Sequence, residues 1–518
     1  MKDVVVLFKG RPMADPRSTL IPLQLISLAP PLIDSGFQVK IVDQFDSVED
    51  AFKQIADELE NTVCVGVSAV TGHEIADGVE FARRVKRAID VPVVWGGWHP
   101  TILPGETVRH NYVDIVVKGA AQNTFLKLVQ SIASENDLSS VNNIVYKKDG
   151  QIVETPNELP NLSECGLPAF NMLDLEYYRK CSLPLRHKAN IGGNEITGYL
   201  YYVTSFGCPN RCAYCCSRSV FGTKMHNYDI VKVVEQIRWL VNDKKFNSIG
   251  FMDANFFINH KRVELFCKLI IENDIQFFWD AQMYVRDILR YEKKGLMELV
   301  KKAGCFRVNV GAESGSSEVL EYMQKSISMG HILESARILN KHNIDAAYNF
   351  LFGLPKVENE KHLRESFVLA RELKKINPEF CFPVSFYVPF PGTPMYKDAI
   401  DSGFGAPTNL EDWGDFDTSY DTASETYPWK SQSKEKLIYN AMTFYLPLAY
   451  PGNIRRGTIS MLKDKMRHSK FRLLIKIGSW LARQRARISL YRMPFEVWLF
   501  NLYRKIKGIR QYNSGAEV

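Results

Sequence analysis

The chain has 518 residues, of which 46% are hydrophobic and 24% charged, and its formal net charge is +7. This length exceeds what one hydrophobic core organises, so we expect two or three domains of globular composition. The first residues contain no signal-peptide pattern, and no apolar run reaches the roughly 18 residues of a membrane-spanning helix. We therefore expect a cytoplasmic protein, in which cysteines stay reduced, and we do not expect disulfides in the cysteine cluster at 208–216.

Residues 1–150 predict an α/β domain with a doubly wound parallel sheet. Residues 23–45 read as a helix, a glycine stop and a strand, and helical segments lie near 73–89 and 124–134. The other four strands are VVVLF (4–8), VCVGVSAVTG (63–72), VPVVWGGWHP (91–100) and VDIVVKGAAQ (113–122). The glycine-rich strand ends suit a ligand at the switch point of the sheet. A nicotinamide-binding domain is the rival interpretation, but no G-x-G-x-x-G follows the first strand.

Residues 151–195 are rich in proline and polar residues and are interpreted as an ordered linker. Residues 196–400 alternate apolar strands with helices, the first helix running from about Asp229 to Val241. The strands are GYLYYVTS (198–205), SIGFMD (248–253), FFWDAQ (277–282), FRVNVGA (306–312), DAAYNFLFG (345–353) and FPVSFYV (382–388). Strands separated by helices predict right-handed crossovers and a parallel sheet, with function at the carboxyl ends of the strands.

Four of the ten cysteines lie within residues 208–216. Cys208, Cys212 and Cys215 form C-x3-C-x2-C, and the remaining cysteines supply no second pair such as structural zinc sites use. Three thiolates without a fourth protein ligand suit a [4Fe–4S] cluster with one open iron. A zinc site or a redox-active cysteine loop is the alternative. Cys216 has the wrong spacing and is interpreted as a bystander.

This cysteine pattern, with Tyr214 just before the third cysteine, resembles the radical S-adenosylmethionine (SAM) superfamily. The resemblance implies a (β/α)6 partial barrel, with the open iron of the cluster bound to SAM. It also implies that the segments at the carboxyl ends of the strands contact SAM. By position these contacts are Tyr214 near adenine, Asp253 and Asn255 near the amino group (Asp253 through its backbone carbonyl), and Glu313 and Ser314 at the ribose or methionine part.

The N-terminal domain resembles the cobalamin (B12)-binding domain that precedes many radical SAM domains. The matching residues are Ser68, Thr71, Gly96, Gly97, His99 and Gly119. The family's D-x-H-x-x-G motif is absent, so no protein histidine is expected on cobalt, and His99 is interpreted as forming hydrogen bonds within its loop. The chain has Gly119-Ala120-Ala121-Gln122 where the family usually has G-E-x-E. A degenerate domain that only packs against the barrel is the alternative.

Residues 401–518 are interpreted as a mostly helical C-terminal region. Residues 451–510 carry 16 lysine and arginine residues against two acidic ones, interleaved with aromatic and aliphatic side chains. This pattern favours a helix at an anionic membrane surface, with Trp480 and Trp498 at the headgroup boundary. A helical cap on the barrel is the second interpretation. RNA binding is the third, but no nucleic-acid motif accompanies the charge, so nucleic acid is not expected as a partner.

Together the two resemblances imply an enzyme of the class B radical SAM methylase type, with a [4Fe–4S] cluster, SAM and cobalamin as cofactors. Such an enzyme forms a 5′-deoxyadenosyl radical, abstracts a hydrogen atom and transfers a methyl group to an unactivated carbon of a lipid or secondary metabolite. An electron donor such as flavodoxin or ferredoxin is the expected partner. The alternatives are ring formation or rearrangement without methyl transfer, and a non-catalytic cluster or cobalamin sensor.

Overall fold

The computed structural model describes residues 2–11, 21–162, 165–186, 196–416, 418, 427–450 and 472–491. Within these residues the chain forms two sheets in succession, followed by helices. Helices pack on both faces of the first sheet, which has a separate apolar core on each side, and this explains why most of its parallel strands are continuous apolar runs.

The first sheet has seven strands in the order β2-β1-β3-β4-β5-β6-β7, and β1 to β5 are parallel. The order 2-1-3-4-5 is a doubly wound order, which confirms the predicted fold class. The strands are β1 (Val4–Lys9), β2 (Gln38–Val42), β3 (Thr62–Ser68), β4 (Val93–Gly96), β5 (Ile115–Val117), β6 (Ile144–Lys148) and β7 (Gln151–Glu154).

The sheet runs further than the sequence pattern indicates. Strands β6 and β7 form an antiparallel hairpin on β5, so the sheet ends at Glu154, inside the segment 151–195 interpreted as a linker. Strand β7 was missed because its residues are exposed or only half-buried, and no apolar run marks it.

Six helices accompany the first sheet. The longest, α3, buries Ile75, Phe81 and Val85 at helical spacing against the strands. Gly78 on the same face leaves room for Trp95, whose ring would lie 2.8 Å from a β-carbon at that position. The helices are α1 (Leu23–Asp34), α2 (Val48–Lys53), α3 (His73–Ala88), α4 (Trp98–Ile102), α5 (Pro104–Arg109) and α6 (Gln122–Ala133).

The second sheet has six parallel strands in chain order, and it confirms the predicted partial barrel. A short antiparallel pair, β9 and β10, follows its first strand. The strands are β8 (Tyr199–Tyr202), β9 (Ser205–Phe206), β10 (His226–Asn227), β11 (Ser248–Phe251), β12 (Phe278–Gln282), β13 (Cys305–Glu313), β14 (Asp345–Phe352) and β15 (Val384–Phe386).

Helix α7 (Leu175–Arg186) precedes the first barrel strand, within the segment 151–195 interpreted as a linker, and the later helices connect the barrel strands. Helix α9 begins where predicted, because the Asp229 side chain accepts a hydrogen bond from the Val231 amide and caps the first turn. These helices are α7 (Leu175–Arg186), α8 (Ser217–Phe221), α9 (Ile230–Asn242), α10 (His260–Glu272), α11 (Val285–Lys293), α12 (Met297–Lys302), α13 (Ser317–Tyr322), α14 (Met329–Lys341) and α15 (Glu360–Ile376).

The described part of the C-terminal region is helical, as predicted. Helix α17 packs on α3 of the N-terminal domain, where Leu410 and Trp413 are each 1% exposed and join that domain's core. Part of this region therefore completes the first domain. The helices are α16 (Pro394–Asp401), α17 (Leu410–Gly414), α18 (Gln432–Tyr439), α19 (Leu446–Ala449) and α20 (Arg472–Ile488), with a π-helical turn over Asn440–Tyr445.

Candidate functional site

The cysteine loop lies between strand β8 and helix α8, at the carboxyl edge of the barrel sheet. Backbone hydrogen bonds fix its middle: the Ala213 amide donates to Met323 O at 2.9 Å, and Met395 N donates to Ala213 O at 3.1 Å. Its start is tight as well, since Gly207 has φ +92° and a β-carbon there would lie 2.0 Å from Lys224 O. The loop therefore has a defined shape imposed by the barrel helices.

The loop presents its thiols as free groups. Cys208 and Cys212 are half-buried, Cys215 is exposed, and none of the three forms a disulfide. Desolvation of the Cys215 sulfur, together with the neighbouring thiols Cys212 and Cys208, raises the pKa of Cys215 to about 11. Among the described residues, no three cysteine, histidine or carboxylate side chains converge closely enough for a single metal ion. A [4Fe–4S] cluster does not require the three thiols to converge on one point, because each cysteine binds a different iron atom.

Tyr214 and Glu313 are brought together at the edge of the barrel. Glu313 ends strand β13 with a φ of +61°, an uncommon backbone conformation for a residue with a side chain. Its Oε1 accepts hydrogen bonds from Tyr214 OH at 2.8 Å and from Lys325 Nζ at 2.9 Å. The aromatic residue of the cysteine loop is thus tied directly to the end of the fourth barrel strand.

Ser314 is engaged in the turn that follows. Its Oγ lies 3.1 Å from Ser366 Oγ and accepts a hydrogen bond from the Ser316 amide at 3.1 Å. A β-carbon at Gly315 would lie 2.2 Å from Glu365 O, so the turn packs closely against helix α15. The side chain therefore stabilises the turn, and its contact with SAM stays a prediction.

The Asp253 side chain is turned into the protein. It is fully buried, and its carboxylate accepts hydrogen bonds from the Thr204 amide at 3.0 Å, from Thr204 Oγ1 at 2.6 Å and from Ser205 Oγ. The carboxylate therefore joins the ends of strands β8 and β11. The contact through the backbone carbonyl stays a prediction.

Asn255 is also bound within the protein. Its Nδ2 donates to Asp287 Oδ2 at 2.6 Å, and its Oδ1 accepts from the Phe257 amide at 3.1 Å. These bonds fix the segment after strand β11. The side chain is buried, and its contact with SAM stays a prediction as well.

A cleft of about 610 Å³ opens beside the cysteine loop. Cys212 and Tyr284 line it together with the cationic side chains Arg211, Arg286 and Lys325. Arg211 and Arg286 are exposed, whereas Lys325 is buried. The cleft therefore leads from a positively charged rim to one of the candidate cluster ligands.

The predicted cobalamin residues assemble at the carboxyl edge of the first sheet. Ser68 ends strand β3, Gly96 ends β4, and Gly97 and Gly119 follow β4 and β5. Gly97 has φ +100°, and a β-carbon there would lie 2.7 Å from Ala69 O, so only glycine lets the two strand ends approach this closely. Gly119 has φ +73°, and its amide donates to Thr101 Oγ1 at 3.0 Å.

His99 and Thr71 form one buried contact in this region. His99 Nδ1 lies 3.1 Å from Thr71 Oγ1, in agreement with the interpretation of His99 as a residue that forms hydrogen bonds within its loop. Burial lowers the pKa of His99 to about 3, so the ring is neutral at physiological pH. Its Nε2 is buried without a hydrogen-bond partner among the described residues, and its ring packs edge-on against Trp413.

The edges of the two domains face each other. Trp98, directly after Gly97, packs edge-on against Phe221 of helix α8 with ring centroids 5.5 Å apart. A β-carbon at Gly119 would lie 3.5 Å from Val220 O of the same helix. Gln122 Nε2 donates to Tyr228 OH at 3.1 Å, so one of the residues that departs from the cobalamin pattern binds the barrel.

Lys325 and Trp413 were missed by the sequence analysis. Lys325 is a single lysine in a loop, and Trp413 follows an acidic stretch, so neither belongs to a motif or a periodic pattern. A buried position for either residue becomes visible only when the distant segments have packed together.

Comparison with known proteins identifies both domains. Residues 202–369 match the radical SAM superfamily, and residues 13–129 match the B12 binding domain. The chain is 26% identical over 436 residues to an uncharacterized methyltransferase, PH0819, of Pyrococcus horikoshii, covering 82% of this chain and 88% of the relative. It is 27% identical over 336 residues to the anaerobic magnesium-protoporphyrin IX monomethyl ester cyclase of Synechocystis sp., covering 64% of each.

A solved structure shares this fold across both domains. The cobalamin-dependent SAM radical enzyme OxsB, solved with aqua-cobalamin and SAM bound, superimposes with a TM-score of 0.66. The similarity covers 99% of this chain and 76% of that chain at 13% sequence identity, so it shows the fold alone.

The two matched segments contain the residues described above. The cysteine loop, Glu313 and Lys325 lie in the first matched segment, and Ser68 to Gly119 lie in the second. A [4Fe–4S] cluster, SAM and cobalamin are the cofactors that such domains bind, and the sequence-based expectation of these cofactors is confirmed. The chain therefore contains a radical SAM domain preceded by a B12-binding domain.

Proposed function

We propose that this enzyme methylates an unactivated carbon atom of a lipid or secondary metabolite. The observation that carries the proposal is the contact between the two cofactor-binding edges, through Trp98 and Phe221 and through Gly119 and Val220. When bound, the cluster and SAM supply a 5′-deoxyadenosyl radical, and cobalamin supplies the methyl group. A substrate between the edges would be within reach of both groups and shielded from water.

The residues of the cysteine loop fit the cluster. Cys208, Cys212 and Cys215 are free thiols that influence one another's pKa, and they lie in a loop whose backbone is fixed at Ala213. We propose that these three thiolates hold the irons and that Tyr214, Glu313 and Ser314, with the backbone at Asp253 and Asn255, surround SAM. Their work is to orient SAM at the remaining iron.

The residues of the first domain fit a ligand with polar groups. Strands β3 and β4 approach each other closely at Gly97, and Nε2 of His99 has no hydrogen-bond partner among the described residues. Both lie at the carboxyl edge of the sheet, where doubly wound folds bind their ligands. We propose that Ser68, Thr71, Gly96, Gly97, His99 and Gly119 hold cobalamin there. Because the D-x-H-x-x-G motif is absent, we expect no protein nitrogen on cobalt, and His99, whose Nδ1 faces Thr71, would act as a hydrogen-bonding residue through Nε2.

Ring formation or rearrangement without methyl transfer is the second candidate, favoured by the match to the magnesium-protoporphyrin ester cyclase. The two reactions differ in their by-products. Methyl transfer consumes two SAM molecules and gives both S-adenosylhomocysteine and 5′-deoxyadenosine. Incubating the anaerobically reconstituted enzyme with a metabolite and lipid extract tests this. Product formation with 5′-deoxyadenosine alone would favour the second candidate.

We propose that an acidic electron carrier such as flavodoxin or ferredoxin docks on the rim of the cleft beside Cys212. The exposed cations Arg211 and Arg286 support this proposal through charge complementarity. Replacing both by glutamate should slow reduction of the cluster by flavodoxin and leave reduction by dithionite unchanged. Equal rates with flavodoxin before and after the replacement would argue against this surface.

We further propose that the enzyme works in the cytoplasm at the inner face of the membrane. The charged segment 451–510 is described only over 472–491, where helix α20 buries Ala482 and Ala486 against the protein. The same helix exposes Ile477 by 46%, Trp480 by 59% and Ile488 by 70%, beside several arginines. Trp498 and the rest of the segment lie outside the described residues. No helix among the described residues is long and apolar enough to cross a bilayer.

The membrane proposal predicts that the full chain sediments with vesicles containing anionic lipid at low salt. Binding should weaken at high salt, because exposed charges are screened beyond roughly 10 Å. Replacing Trp480 and Ile477 by serine should reduce sedimentation. The matched control is Leu265→Ser on helix α10, an apolar side chain that is 42% exposed on the barrel. If the wild type, the Trp480 and Ile477 double variant and the Leu265→Ser control sediment equally, helix α20 does not bind the membrane.

A further inference from the structure

Lys325 is a buried cation in the loop between helices α13 and α14. Its side chain is 3% exposed, and its Nζ donates to Glu313 Oε1 at 2.9 Å and to Gly311 O at 2.8 Å. The ammonium group also lies 5.4 Å from the centre of the Tyr284 ring. Burying a charge is costly unless it is paired, so this arrangement indicates that the site requires a cation.

Strand β13 is shaped to accept this ion pair. A β-carbon at Gly311 would lie 2.3 Å from Glu313 Oε1 and 2.6 Å from Lys325 Nζ. Any other residue at Gly311 would therefore push the pair apart. The same carboxylate oxygen of Glu313 holds Tyr214, which directly precedes Cys215.

The charge of Lys325 reaches the candidate cluster ligands. Lys325 and Cys212 line the same cleft. Among the described residues, Lys325 lines this cleft together with Cys212 and Glu313 does not, so the ion pair acts on Cys212 as a net positive charge.

A positive charge beside a cluster favours its reduced form. Reduction adds one negative charge to a cluster already held by three thiolates, and the attraction to a cation is strong where water is excluded. We propose that Lys325 is a positioning residue that raises the reduction potential of the cluster, and that Glu313 moderates this effect. The proposal rests on the placement of the cluster at Cys208, Cys212 and Cys215.

The test is an anaerobic redox titration of the reconstituted full chain without substrate, followed by EPR of the reduced cluster. In Lys325→Met we expect the ratio of reduced to oxidised cluster at a fixed potential to fall roughly tenfold, equal to about 59 mV for one electron. Lys325→Arg should restore the wild-type value. Glu313→Gln should shift the potential in the opposite direction, because it removes only the negative charge.

The control is Lys268→Met, which breaks an exposed lysine–glutamate pair on helix α10 and should leave the potential unchanged. An unchanged potential in Lys325→Met with wild-type iron content would overturn the proposal. Shifts of the reduction potential with the same sign in Lys325→Met and Glu313→Gln would also overturn the proposal. Both variants break the same ion pair, so a purely structural role of the pair would shift the potential in the same direction in both. If Lys325→Met loses iron, the Glu313→Gln variant provides the test. A reduction potential above that of the wild type supports the proposal, and an unchanged or lower potential overturns it. Absence of the cluster signal from the wild-type protein would refute the cluster placement instead.

Discussion

Replacing Cys208, Cys212 and Cys215 together by alanine removes the iron and acid-labile sulfide from the anaerobically reconstituted protein and abolishes 5′-deoxyadenosine formation. The physical reason is that thiolates are the protein's only strong ligands for iron in this loop, where burial raises the pKa of each thiol and iron must displace the protons. Iron and sulfide assays with EPR of the reduced protein measure the loss. Iron content equal to the wild type would contradict the assignment.

Cys216 provides the matched control for this experiment. It is the residue before helix α8, and its carbonyl accepts hydrogen bonds from the amides of Ser219 and Val220. Burial raises the pKa of its thiol to about 12. We expect Cys216→Ala to keep the full iron content, because the backbone bonds persist without the thiol. Loss of iron from this variant alone would show that the ligands were assigned to the wrong neighbour.

The second large effect is expected at Gly97, where an added methyl group should cause loss of cobalamin. Gly97→Ala forces φ +100° on a residue that avoids it and places the β-carbon 2.7 Å from Ala69 O. Such backbone strain costs about 1–3 kcal/mol, and relief requires strand ends β3 and β4 to separate. We expect at least a roughly tenfold weaker retention of hydroxocobalamin through gel filtration, measured by absorbance.

Gly105→Ala is the control, because a β-carbon at Gly105 meets no atom within 4 Å. Both variants should keep the wild-type iron content, which shows that the barrel still folds. If Gly97→Ala retains as much hydroxocobalamin as the wild type, the strand ends at Gly97 do not bind the ligand. A wild-type protein that retains no cobalamin would favour the degenerate-domain alternative.

Much of the fold follows from local sequence patterns. Buried parallel strands are continuous apolar runs, and the turns after them carry glycine or polar residues, so the six barrel strands and the five parallel strands of the first sheet were found. The cysteine spacing indicates the cluster because three ligands in a short loop are a local feature. Strand β7 was not predicted, because a largely exposed edge strand has no continuous apolar run.

The roles of individual side chains at the strand ends were harder to predict. Asp253 follows its strand as expected, yet its carboxylate accepts hydrogen bonds from Thr204. This orientation depends on the neighbouring strand β8, which a local pattern does not reveal. The partner of Glu313 is Lys325, which lies beyond a helix and has no motif of its own. Trp413 completes the core of a domain that ends more than 200 residues earlier in the chain. Such pairings are tertiary contacts, and a single sequence carries no local signal for them.

The proposed reaction transfers the methyl group of SAM to a carbon atom of the substrate. The most direct measurement incubates the reconstituted enzyme, a reductant and a metabolite and lipid extract with either SAM or SAM labelled as CD3, and compares the products by mass spectrometry. We expect a product that gains three deuterium atoms and accumulates together with S-adenosylhomocysteine and 5′-deoxyadenosine. A product without label, formed with 5′-deoxyadenosine alone, would contradict methyl transfer and leave the radical SAM assignment intact.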